Sequence, residues 1–157
     1  MNKAVVLEKI INSLQSELET YIRAAKFSHA EATAEENRAE NKYDTRGLEA
    51  SYLAAGQANK VVELEAAISS FEELKDKPAN ESVEIGALVE LAQDGSSELY
   101  FIGPTAGGTE VEVTGTEILI ITPESPLGSQ LIGLEADQKS TLDLAGRKQK
   151  VQVISVS

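Results

Sequence analysis

Glu36, Glu40 and Asp44 stand four residues apart in a chain of 157 residues, and on a continuous helix that spacing would set three carboxylates on one face. Carboxylates so placed could share in holding a hard divalent cation, with water completing its shell. Magnesium keeps most of its waters and takes one or two protein carboxylates beside phosphate oxygens. Such a site therefore fits an ion held mainly by another macromolecule, where it would activate a water for phosphodiester cleavage. The same acids alternate with Arg38, Lys42 and Arg46, which is also the pattern of ion pairs along a solvated helix. Glu49 adds a further carboxylate just beyond. His29, the one histidine, has neither a Cys nor a second His to work with and receives no role.

These acids need an element to present them. Leu7, Ile11, Leu14, Leu18, Tyr21 and Ala25 recur at alternating spacings of four and three, the period of a coiled-coil seam, with Glu8, Lys9, Gln15, Glu17, Glu19 and Arg23 on the other face. Beyond Ala25 the seam turns to small residues, Ala30, Ala32, Ala34 and Ala39. After a break near 44–47, a second seam is expected through Leu48, Tyr52, Ala55, Val62, Ile68 and Phe71. Two helices with a short connection pack antiparallel, and roughly 35 residues each at about 1.5 Å per residue give a hairpin on the order of 50 Å long. Periodicity alone also allows a dimeric structural coiled coil. Gly47 beside the break favours the hairpin, since glycine readily supplies a turn, and a monomer is expected.

Composition narrows the function. The formal net charge of -12 argues against a general binder of nucleic acid or anionic membranes, which gain affinity by neutralising phosphates, and points to a basic partner surface. No cysteine is present, so disulfides, thiolate zinc sites and thiol nucleophiles are excluded. Nothing reads as a secretory segment or membrane span, and a cytoplasmic location is expected. Residues 1–77 contain no proline and only Gly47 and Gly56, whereas the remainder holds all four prolines. The expected organisation is a hairpin over 1–77 with an acidic tip, a linker over 78–82 and a second domain over 83–157.

That second domain is patterned for strands: Val83, Ile85, Leu88, Val89 and Leu91, then 99–102, 117–122, 140–144 and 151–156, with Pro123 stopping the third run. Ser125 and Pro126 suit a helical turn that starts after Ser125 with Pro126 first. A twisted antiparallel sheet with one short helix accommodates these runs.

Ser125-Pro126-Leu127, Leu131-Ile132-Gly133, Asp137, the final hairpin, and Val83-Glu84-Ile85-Gly86-Ala87 resemble the second domain of the Gre family of bacterial transcript cleavage factors. With the helical hairpin in front, the likeness covers nearly the whole chain. The resemblance implies an α+β protein: an antiparallel coiled-coil hairpin followed by an FKBP-like antiparallel-sheet domain. It implies docking on RNA polymerase at the rim of the secondary channel, to which Ser125, Pro126 and Leu127 would contribute. The hairpin tip would then approach the catalytic magnesium and, indirectly, the nascent RNA. In the family a tip Asp and Glu help hold a second magnesium while the polymerase hydrolyses backtracked RNA, so the factor is not itself an enzyme. Asp44 is the leading carboxylate here, with Glu40, Glu36 and Glu49 as alternatives. The family places Asp seven and Glu four residues before a Tyr of the second helix. Counted from Tyr52, those positions hold Thr45 and Leu48, and Asp44 and Glu49 each lie one residue out of register. The turn 144–147 likewise reads Leu-Ala-Gly-Arg where many members have Pro-Gly-Gly. A Gre-like channel inhibitor or competitor without cleavage activity is the alternative. Prolyl isomerisation by an FKBP-like body is disfavoured, because 83–157 offers only Tyr100 and Phe101 as aromatics.

Overall fold

A computed structural model describes residues 1–34 and 45–157. Glu36, Glu40 and Asp44, with Ala39 of the first seam, lie outside the described residues. The elements run α1 (Lys3–Thr33), α2 (Arg46–Glu72), β1 (Leu88–Gln93), β2 (Ser96–Ile102), β3 (Glu110–Val113), β4 (Thr116–Ile121), α3 (Gly128–Leu131), β5 (Lys139–Leu144) and β6 (Arg147–Val156). Two compact units divide the chain, one of Met1–Ile11 with Ser69–Ser157, the other of Asn12–Ile68. The units part inside both helices, and 78–82 lies within the first of them. Because the start of α1 and the end of α2 belong to one unit and the rest of both helices to the other, the two helices run antiparallel.

In the helical unit the first seam lies where its spacing put it. Leu14 is buried and Leu18, Tyr21 and Ala25 are half-buried, and the stripe continues through buried Ser28 to Ala32, while Ala30 is exposed. The second seam is corrected from Leu48 to Val62, whereas Ile68 is half-buried and Phe71 fully buried as its spacing expects. Leu48, Tyr52 and Val62 are 56%, 72% and 63% exposed. The buried stripe of α2 runs instead through Gly47, Ala50, Ala54, Gln57, Val61 and Leu64. Ala, Gly and Gln fill most of these positions, so Leu48, Tyr52 and Val62 mark the wrong face in this part of the helix. Gly47 belongs to the first turn of α2 and not to the break.

The other unit is built on one six-stranded sheet of order β3-β4-β2-β1-β6-β5. Its pairings are antiparallel except β2 with β4, which run parallel in the register Leu99 to Ile118 and Ile102 to Ile121. Three of its connections are two-residue turns, Asp94-Gly95, Thr114-Gly115 and Ala145-Gly146, in which both residues have positive φ. That backbone matches the twist of the strands it joins. One sheet face carries Val89, Leu91, Tyr100, Ile102, Ile121, Val151 and Val153, packed with Leu131 of α3. Phe101 projects to the opposite face, its ring centroid 6.1 Å from that of Phe71 at the end of α2. Val6, Ile10, Phe71, Phe101, Ile118 and Ile120 are all fully buried in this unit. Each such side chain contributes roughly 1.5 to 3 kcal/mol, which explains why the first turns of α1 and the last of α2 group with the sheet.

The segment after α2 is tied down. Lys77 Nζ donates to the Ile85 carbonyl at 2.6 Å and pairs with the Glu84 carboxylate at 3.0 Å. Its ammonium holds the Glu84 carboxyl below the usual range. Ser82 bridges to Glu135.

Candidate functional site

Among the carboxylates singled out by spacing, Glu49 is the one the structure describes. It sits exposed in the first turn of α2. Its N–H donates to the Thr45 carbonyl at 2.8 Å, and its Oε1 accepts from the Thr45 hydroxyl at 3.0 Å. A carboxylate here also meets the positive end of the helix dipole. Thr45 and Glu49 thus close the start of the helix between them, and Leu48 and Tyr52 lie open to solvent one turn apart. Among the described residues no group of three or more acidic, His or Cys side chains could hold a metal ion. No helix among them is long and apolar enough to cross a membrane.

Ser125, Pro126 and Leu127 form the entry to α3 in the sheet unit. The Ser125 hydroxyl donates to the Thr122 carbonyl at 2.8 Å and accepts the Gly128 N–H at 3.0 Å, while the Ser125 carbonyl takes the Ser129 N–H at 2.9 Å. This is the bonding of a residue at a helix start, with Pro126 following at a position that needs no N–H. Pro126 is exposed, and its carbonyl accepts from Gln130 Nε2 at 2.7 Å; Leu127 packs half-buried against the sheet core. Gly128 is required by space: a Cβ there would stand 1.9 Å from the Thr122 carbonyl oxygen. The loop is therefore held by its own hydrogen bonds and leaves Glu124 and Pro126 exposed.

Two features escape the sequence. Gln130 grips β5, donating from Nε2 to the Asp143 carbonyl at 2.9 Å and accepting the Asp143 N–H on Oε1 at 2.7 Å. Nothing in its neighbourhood marks it out. An open cleft of about 840 Å³ also lies against the sheet, and Glu90, Glu98, Glu110, Glu112 and Glu117 line it with Tyr100. The Tyr100 hydroxyl donates to the Glu98 carboxylate; burial, and then that carboxylate, push the phenol above its ordinary range. Alternation in Glu110-Val111-Glu112-Val113, followed by Thr114-Gly115, is the signal that would have found β3 and two of these acids.

No family model matches the chain, and no curated protein does. The solved structures it is similar to are transcription factors of the Gre class. Gfh1 (GreA factor homolog 1) of Thermus thermophilus is 21% identical over 94% of each chain, with a TM-score of 0.39. Gfh1 of Thermus aquaticus is 21% identical over 99% of this chain and 96% of its own, at 0.40. A GreA/GreB elongation factor of Nitrosomonas europaea is 16% identical over 64% of this chain and 91% of its own, at 0.38.

Proposed function

We propose that the chain is a Gre-like regulator of transcription elongation that binds RNA polymerase at the secondary channel and directs the 35–44 segment toward the catalytic magnesium. One observation carries this reading: two antiparallel helices of 31 and 27 residues bracket the acidic segment, and a sheet unit with a hydrogen-bonded Ser125-Pro126-Leu127 entry follows them. At 1.5 Å per residue α1 alone is about 45 Å long, enough to carry a tip deep into a larger assembly. The partner would supply the metal, which when bound would activate a water toward the phosphodiester. This chain would add carboxylate oxygens from Asp44, with Glu40, Glu36 or Glu49 as alternatives. It performs no hydrolysis itself.

The test is cleavage of labelled RNA in a stalled, backtracked polymerase complex. Added protein accelerates cleavage in magnesium, and Asp44→Ala removes the gain; an inert protein that also fails to bind polymerase overturns the proposal. Thr45 and Leu48 at the two positions where the family carries acids, together with a Glu49 carboxylate engaged by Thr45, favour a second reading. In it the protein occupies the channel and inhibits or competes, so polymerase binding is retained and cleavage is unchanged or slowed.

A further inference from the structure

The sheet has two edges, and β5 is one of them. The β5–β6 turn is closed by Leu144 and Arg147, so the ladder bonds recur at Leu142 with Gln149 and Ser140 with Val151. Asp143, Thr141 and Lys139 therefore aim their N–H and C=O groups away from β6. At Asp143 both groups are taken by the Gln130 side-chain amide, which stands where a neighbouring strand's peptide would. At Thr141 and Lys139 no partner among the described residues meets them.

The charged side chains of this hairpin are mostly cationic, with Asp143 the one carboxylate among them. Strand alternation and the register of Thr141 with Lys150 and Lys139 with Gln152 put Lys139, Thr141 and Lys150 on one exposed face. In a chain of net charge -12, four of the fourteen cationic residues, Lys139, Arg147, Lys148 and Lys150, fall on this hairpin. A groove of about 460 Å³ is lined by Ala92 of β1, Asp94 of the turn after it, Lys150 and Gln152 of β6, and Lys139 and Thr141 of the edge strand itself. An edge lysine by itself serves to repel other strands. Lys139 on the edge strand and Lys150 on its neighbour line the same groove and instead offer a carboxylate a place to sit.

We propose that the Lys139–Thr141 edge of β5 accepts an extended acidic polypeptide segment by strand addition. The outward groups repeat every second residue, about 6.8 Å along the strand, as they do on any extended chain. Main-chain bonds would hold the segment, and Lys139 and Lys150 would select acidic side chains on the groove face. The unfilled carbonyls of Thr141 and Lys139 require N–H donors, which a phosphate backbone does not have. Gln130 sets one end of the site, so the segment it takes is short.

The probe is a blocked Glu-Thr-Glu-Thr-Glu pentapeptide titrated into the 15N-labelled full chain at low salt. Saturable amide shifts centred on Lys139, Thr141 and Gln152 are expected, and the paired substitution Lys139→Glu with Lys150→Glu weakens binding by about tenfold or more. Thr141→Pro, which removes an outward N–H and no ladder bond, abolishes it. If that variant fails to fold, the same peptide N-methylated at alternate residues takes its place and does not bind. Equal binding of a Lys-Thr-Lys-Thr-Lys peptide, of the N-methylated peptide, or tighter binding of a ten-nucleotide single strand overturns the proposal.

Discussion

A methyl group at residue 128 would collide with the Thr122 carbonyl, 1.9 Å from where it must stand, and with the Ser125 hydroxyl at 2.8 Å. The backbone there cannot yield without breaking the Ser125 bonds that start α3. Gly128→Ala should therefore cost about 2 kcal/mol or more, read as a lower midpoint in thermal or urea denaturation; an unchanged midpoint would show that the turn relaxes freely. Tyr100 makes a second prediction. Its phenol keeps its proton in the folded chain where the unfolded chain has lost it, so the stability tied to that proton is complete below pH about 10 and falls as pH rises beyond. Absorbance at 295 nm should rise equally in the parent and in Tyr100→Phe up to about pH 11. A smaller rise in the variant would mean that Tyr100 ionises like an exposed phenol.

The helices separate what spacing reveals from what it hides. In α1 the buried stripe carries the large residues Leu7, Ile11, Leu14 and Leu18, so period and size agree. In α2 they disagree up to Val62: Ala50, Ala54 and Gln57 face inward while Tyr52 and Val62 face water, and hydrophobicity alone selects the wrong register there, though at its end Ile68 is half-buried and Phe71 buried as spacing expects. Leu64→Ala should cost about 2 to 5 kcal/mol and Val62→Ala less than about 0.5 kcal/mol in chemical denaturation. The reverse order would restore the register expected from the sequence. In the sheet unit, Pro123 and the Ser125-Pro126 pair mark a strand end and a helix start because their chemistry is local. The parallel pairing of β2 with β4 is invisible because it joins strands separated by β3. Of the candidate site, Ser125 is legible as a cap. The Gln130 grip on Asp143 is not, since it depends on two segments thirteen residues apart meeting in space.

At the scale of the molecule, two compact units share both long helices, and the acidic 35–44 segment lies between those helices in sequence. A formal charge of -12 suits a basic partner and disfavours free nucleic acid, so polymerase binding should weaken as salt rises. Where the 35–44 segment comes to rest on that partner decides the proposed function. A photo-crosslinking residue replacing Glu40 in the full chain, irradiated with core RNA polymerase and mapped by mass spectrometry, reads this directly. Crosslinks should fall inside the secondary channel and beside the active centre; crosslinks confined to the outer surface, or none at protein concentrations that saturate binding, would contradict it.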